Sequence, residues 1–248
     1  MTDTKRSALI TGGSRGIGAE IARRLAGEGF AVTIAARTAD TLEQTAQRLR
    51  AETGADVHPV AANMTDPEQV TALVDAHADR CGGMDLLVLS AGTGTASPVA
   101  EMTPKARERM LDVNFRAPLT LIQAALPLLR ASAAADPQRG AKIVAISSIT
   151  GVVGEPGLAA YGATKAALIS LCETVSLEES AHGVSATALS PGYVDTDMSA
   201  WKHGELDPSA MLPTADIAEL VLAISRLSAR AVVPNIVISR AGTQLWRA

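Results

Sequence analysis

A single α/β domain is predicted, built on a doubly wound, mostly parallel sheet of seven strands with helices on both faces. Three features of the 248-residue sequence predict it. Short β-branched runs recur along the chain. Longer stretches with helical spacing lie between them. The turn after the first run is rich in glycine. Strand and helix alternating in this order argue for parallel strands joined by right-handed crossovers, which cover both sheet faces.

The first strand is read at Ala8–Thr11 and runs directly into Gly12-Gly-Ser-Arg-Gly16-Ile-Gly18. In the helix that follows, Ile17, Ile21 and Leu25 lie four apart and share one face. The second strand is Ala31–Ala36, and Leu42, Ala46 and Leu49 mark the next helix face. Val57–Ala61 is the third strand. Thr65-Asp-Pro-Glu starts a helix with proline in its first turn, and Asp85–Ser90 is the fourth strand. Thr103-Pro-Lys-Ala starts another helix, and residues 131–140 are read as a surface loop. Lys142–Ser147 and Val184–Leu189 are the fifth and sixth strands. Thr214 is expected to cap the last helix, and Asn235–Ser239 is the seventh strand. Residues 192–213 form the longest stretch without periodicity, which in a compact domain suggests a lid. One domain over 1–248, with a lid at about 193–213, is the expected organisation.

Composition excludes several function classes. Aromatic residues are 2% of the chain, so single-stranded nucleic acid would find few stacking platforms. The net charge is −4 with no basic run, so no nucleic-acid footprint is visible. Cys81 and Cys172 form no metal-ligand or CxxC spacing and read as reduced thiols of a cytoplasmic protein. The start lacks the apolar segment of a cleaved leader, and no apolar run reads as membrane-spanning, so no membrane partner is expected. His58, His77, His182 and His203 show no ligand pattern, read as surface or loop residues, and leave no metal expected.

The glycine turn carries the first chemistry. Glycines let the backbone approach a pyrophosphate closely, and the helix N-terminus behind them offers free N–H groups and a positive dipole end. The alternative is a plain tight turn; the context of strand before and helix after favours the dinucleotide. Further motifs follow in order: Ala91-Gly92 after the fourth strand, Asn114, Ser148, Tyr161-Gly-Ala-Thr-Lys165, and Pro191-Gly192 after the sixth strand. Together with the Thr-Gly-x-x-x-Gly-x-Gly spacing they resemble the short-chain dehydrogenase/reductase family over nearly the whole chain. The resemblance implies a Rossmann fold and a nicotinamide cofactor held by Gly12, Ser14, Arg15, Gly16, Ile17, Gly18, Arg37, Asn63, Met64, Ala91, Gly92, Tyr161, Lys165, Pro191, Gly192, Val194 and Thr196. In one departure, the usual Asn-Asn-Ala-Gly reads Leu89-Ser90-Ala91-Gly92. Where an NAD enzyme carries an acid at the end of the second strand, this chain has Ala36 followed by Arg37. With Arg15, that offers two guanidinium groups to a 2′-phosphate and favours NADP(H), unless both are solvated surface arginines.

Tyr161 and Lys165 lie four apart on one helix face. A carbonyl being reduced needs a proton, which a tyrosine hydroxyl can give, and a neighbouring ammonium is expected to lower that hydroxyl's pKa. Ser148, thirteen residues before Tyr161, would hydrogen-bond the substrate oxygen; Ser147 is the alternative. The resemblance gives Asn114 the task of holding a water for a proton relay through Lys165. Thr93, Thr150, Glu155 and Tyr193 are pocket candidates by position. Trp201 and Met211 line the lid or are incidental apolar residues of a loop.

The reading is therefore an NADP(H)-dependent oxidoreductase acting on a small-molecule ketone or secondary alcohol. A 3-oxoacyl-(acyl-carrier-protein) reductase is the alternative; no clear patch of Lys and Arg marks a carrier-docking site, and Arg107, Arg109 and Arg130 are candidates to contribute to one. A catalytically silent NADP sensor is the minor alternative. The resemblance also implies a homo-oligomer, a dimer or tetramer, and the small and apolar residues of Ala163–Leu177 would permit close helix packing.

Overall fold

The computed structural model describes residues 5–242. Residues 1–4, part of the stretch read for a leader, and 243–248, the end of the chain, lie outside them. Among the described residues seven strands form one sheet: β1 (Ser7–Thr11), β2 (Ala31–Ala36), β3 (Val57–Ala61), β4 (Leu86–Leu89), β5 (Ala141–Ile146), β6 (Val184–Pro191) and β7 (Asn235–Ile238). Their order is β3-β2-β1-β4-β5-β6-β7, and every pairing is parallel. The order reverses between β1 and β4, which opens a crevice at the carboxyl ends of those strands.

The helices are α1 (Gly16–Gly27), α2 (Ala39–Thr53), α3 (Pro67–Cys81), α4 (Pro104–Leu111), α5 (Ala117–Ala135), α6 (Ala159–Glu179) and α7 (Thr214–Ser225). On one sheet face Ile21, Leu25, Leu42, Leu49, Ile217 and Val221 pack from α1, α2 and α7. On the other, Leu73, Leu121, Ile122, Leu129 and Leu168 pack from α3, α5 and α6. Nearly every core side chain is Ala, Val, Leu or Ile. Asp66 caps α3 by accepting from the Glu68 and Gln69 N–H groups, with Pro67 behind it, and Thr103 caps α4 by accepting from Ala106 N–H.

Four expectations change. The loop read at 131–140 is helical as far as Ala135, because alanine is the strongest helix former and four of residues 131–135 are alanine. Thr214 is the first residue of α7 and does not cap it; Pro213 stands in the cap position. The continuous helical stretch Pro104–Ala135 is long and apolar enough to cross a membrane by length and composition. Its apolar residues Leu121, Ile122, Ala125 and Leu129 instead pack in the core. The fourth concerns His77, which is fully buried in α3, with Nδ1 2.8 Å from Thr33 Oγ1 and Nε2 3.1 Å from Gly83 O.

Burial pushes the His77 pKa down to about 4. The unfolded chain takes up this proton near pH 6.5 while the folded ring stays neutral to about pH 4. In that window the unfolded state carries more protons, so stability is full above it and falls as the pH drops through it, by about 3 kcal/mol. Urea unfolding at pH 7 and pH 4.5 is expected to show this loss, and His77→Gln to reduce it. An identical pH dependence in the variant would remove His77 as the cause.

Candidate active site

The crevice is built first by Thr11. Its hydroxyl oxygen accepts from the N–H groups of Ser90 and Ala91, both at 3.1 Å, tying the end of β1 to the segment after β4. Gly12 sits at φ +69°, and a Cβ there would lie 2.9 Å from Ala91 N. A Cβ on Gly18 would lie 2.3 Å from Gly12 O, so only glycine lets α1 start this close to the strand. The Ser14 carbonyl accepts from Thr45 Oγ1 at 2.9 Å, which fixes the loop on α2. Ile17 packs against the core behind it. The first turn of α1 holds no acidic residue, and the Arg15 side chain does not cap it. Its N–H groups therefore face the crevice uncapped, and a cradle that a Cβ would fill fits a pyrophosphate.

Arg37 follows the end of β2 and is exposed. Arg15 is also exposed, and its Nη1 donates to Asp197 Oδ2 at 2.8 Å. Asn63 Oδ1 accepts from Thr65 N–H at 3.2 Å, so part of this side chain serves its own turn. Met64 packs partly buried against the core.

Ser148 caps a 3₁₀ turn, Ile149–Gly151, and its Oγ accepts from the N–H and hydroxyl of Thr150 at 3.2 and 2.9 Å. Two glycines bring this turn onto α6. A Cβ on Gly151 would lie 2.8 Å from Ala166 N, and one on Gly162 2.6 Å from Thr150 O. That contact delivers Ser148 to Tyr161, close enough for its hydroxyl to act on the phenol. Lys165 is buried, donates from Nζ to Ile146 O at 2.8 Å and lies 5.6 Å from the Tyr161 ring centroid. Ser147 donates to Lys165 O at 2.9 Å, steadying α6 and not the pocket.

Burial moves both groups towards neutrality. Tyr161 is pushed up to about 12, burial outweighing the Ser148 hydrogen bond, and Lys165 is pulled down to about 8. The lowering of Tyr161 expected from a neighbouring ammonium is therefore absent here. Lys165 donates to a carbonyl, and desolvation of the phenol dominates.

Asn114 lies in a π-helical turn, Asp112–Arg116, between α4 and α5, a distortion that often marks functional sites. It is fully buried. Its Oδ1 accepts from Thr93 N–H, and its Nδ2 donates to Thr93 O, both at 2.9 Å, and to Thr164 Oγ1 at 3.1 Å. The amide thus clasps the strand of chain that carries Ala91, Gly92 and Gly94 across the site. Both N–H groups are used in the clasp, leaving a lone pair of Oδ1 for a water. A Cβ on Gly92 would lie 3.6 Å from Lys165 Nζ, and one on Gly94 3.3 Å from the Tyr161 ring.

Past Pro191, Gly192 N–H donates to Ile238 O at 2.8 Å. The segment expected to form a lid is pinned at both ends, because Val194 bridges to Leu212. Buried Ser199 accepts from Thr196 N–H at 3.2 Å. Two short 3₁₀ turns, Ala200–Lys202 and Pro208–Ala210, order what was read as irregular chain. Tyr193 OH donates to Glu155 Oε1 at 2.8 Å, and its ring meets Trp201 edge-on at 6.0 Å. Trp201 is about half exposed and Met211 is buried. Contacts across long sequence separations, those of Thr11, Gly151, Gly162 and Asp197, had no local signal.

Comparison with known proteins agrees with this fold. Residues 6–205 match the family model for short chain dehydrogenase. An uncharacterized oxidoreductase of Bacillus subtilis, YxjF, is 32% identical over 218 residues, 88% of this chain and 82% of the relative. The 3-oxoacyl-(acyl-carrier-protein) reductase FabG of Staphylococcus aureus is 34% identical over 203 residues, 81% of this chain and 79% of the relative. Among solved structures, an alcohol dehydrogenase of Thermococcus sibiricus complexed with 5-hydroxy-NADP has a TM-score of 0.85 at 29% identity, covering 94% of this chain and 96% of that one. A short chain dehydrogenase of Burkholderia cenocepacia in complex with NADP has a TM-score of 0.83 at 30% identity, covering 96% of each chain.

Proposed function

The chain belongs to the short chain dehydrogenase family, and on that premise we propose an NADP(H)-dependent oxidoreductase acting on a ketone or secondary alcohol. The observation that carries this reading is the meeting of Ser148, Tyr161 and Lys165, with the Tyr161 phenol within reach of Ser148 and its ring centroid 5.6 Å from Lys165 Nζ, beside Gly92. The nicotinamide, when bound, supplies or takes up the hydride. Gly12, Ser14, Gly16, Ile17 and Gly18 seat the pyrophosphate, Asn63 and Met64 border the adenine, and Ala91, Gly92, Pro191, Gly192, Val194 and Thr196 flank the nicotinamide half. Arg15 and Arg37 take the 2′-phosphate, since Ala36 offers no competing acid. NADP and its analogue in the relatives' structures support the choice.

In reduction, Tyr161 holds its proton far into the alkaline range and gives it to the substrate oxygen as hydride arrives on the carbon. Ser148 donates to the same oxygen, with Thr150 and Tyr193 bordering the pocket. Lys165, protonated below about pH 8, returns a proton towards the tyrosine. A homo-oligomer is part of the proposal, as the resemblance implies. The free thiols Cys81 and Cys172 suit a reducing, cytoplasmic setting.

The acyl-carrier-protein reductase reading draws on the relatives from Staphylococcus. Two of its three docking candidates are already paired, Arg107 with Glu108 and Arg130 with Glu179, so ketone reduction stands first. Oxidation of NADPH and of NADH with a β-ketoacyl thioester, a β-keto ester, a cyclic ketone and an o-quinone tests the proposal. Turnover with NADPH is expected to exceed that with NADH. Equal or better use of NADH would overturn the assignment of Arg15 and Arg37, and a thioester as the best substrate would promote the second reading.

A further inference from the structure

One ion pair joins the glycine loop to the lid across the groove. Arg15 Nη1 donates to Asp197 Oδ2 at 2.8 Å, between residues 182 positions apart. Both side chains are about three-quarters exposed, so the pair is open to solvent and to a ligand. The backbone beside it is also in contact. Gly16 stands at φ +55°, and a Cβ there would lie 3.2 Å from Thr196 Cγ2. The turn that carries Asp197 is fixed from below, since Thr196 N–H donates to Ser199 Oγ and Leu212 N–H donates to Tyr193 O at 2.9 Å. Asp197 therefore stands on an anchored segment beside the guanidinium assigned above to the 2′-phosphate.

A guanidinium already paired with a carboxylate offers a phosphate dianion less attraction, because the incoming charge meets a partly neutralised pair and a nearby negative charge. The fork has five donors, but its single charge is shared. We propose that Asp197 is a residue that sets cofactor preference. It competes with the 2′-phosphate of NADP(H) for Arg15, so that seating the phosphate releases the tie between glycine loop and lid. NAD(H), without that phosphate, leaves the tie intact. The inference rests on the reading of Arg15 as a phosphate partner.

Equilibrium binding of NADPH and of NADH, followed by the fluorescence of the reduced nicotinamide, tests it in wild type, Asp197→Asn, Arg15→Ala and the double variant. An exposed pair contributes little, so Asp197→Asn is expected to raise the preference for NADPH over NADH by about two- to five-fold. In the Arg15→Ala background the same change is expected to have almost no effect. An equal gain in both backgrounds would make Asp197 a repelling charge only and overturn the competition. No gain, with Arg15→Ala still weakening NADPH, would overturn the inference and leave the Arg15 reading standing. Arg15→Ala with unchanged preference would remove that reading and the inference together.

Discussion

Tyr161→Phe is expected to lower kcat for NADPH-dependent reduction by about 10²- to 10⁴-fold while NADPH still binds. The change removes one oxygen. The ring stays, and with it the contact to Gly94 and the position of α6. What is lost is the hydroxyl that Ser148 meets and that the proposed chemistry requires as proton donor. No other phenol stands ready, because Tyr193 is committed to Glu155 at 2.8 Å. Steady-state turnover together with NADPH fluorescence titration separates chemistry from binding. Activity above a tenth of wild type would remove Tyr161 from the acid role. A wild-type protein that binds NADPH and turns over none of the panel would instead favour the sensing alternative.

The inner strands were legible because they are buried on both faces; the edge strands β3 and β7 are only partly buried. Ala8–Thr11, Ala31–Ala36 and Val57–Ala61 are mainly apolar or β-branched runs bounded by turn residues, and they sit within a residue of the observed β1, β2 and β3. The glycine loop and the Tyr161/Lys165 pair were legible because their meaning is local, a backbone turn and one helix face. Three things were not legible, each for a physical reason. Lys142 reads as the polar start of a strand, yet it is almost wholly buried, its Nζ donating to Ser185 Oγ and Ser228 O. Those acceptors lie 43 and 86 residues away, and no local pattern announces them. The state of Tyr161 depends on how much water the fold removes from it, which the four-residue spacing to Lys165 does not encode. The clasp of Asn114 needs the π-helical turn to aim its amide at Thr93, and such a turn has no periodicity of its own.

Gly18→Ala decides whether close packing is the reason for the last glycine of the loop. Helix propensity alone favours alanine by about 1 kcal/mol at an interior helical position, and Gly18 is in the first turn of α1. The packing demands the opposite sign. The new Cβ would stand 2.3 Å from Gly12 O, a backbone atom. Gly12 is itself at φ +69° beside Ala91, whose N an added Cβ would approach to 2.9 Å, which leaves its main chain little room on that side. The start of α1 must then move off the strand, which overpacking data place at about 1–3 kcal/mol of lost stability. The same movement withdraws the N–H groups that face the proposed pyrophosphate, so NADPH affinity is expected to fall by more than about ten-fold, or 1.4 kcal/mol. Gly27→Ala is the matched control, at the far end of the same helix with nothing within 4 Å of its Cβ. It is expected to leave stability unchanged or slightly raised. Urea unfolding and NADPH titration of the two variants settle the sign. If Gly18→Ala proves as stable as Gly27→Ala and binds NADPH as tightly as wild type, the approach of α1 to Gly12 is not what the loop needs glycine for. If only Gly18→Ala loses both, the cradle depends on that backbone contact, and the cofactor is held by the distance between two main chains as much as by any side chain.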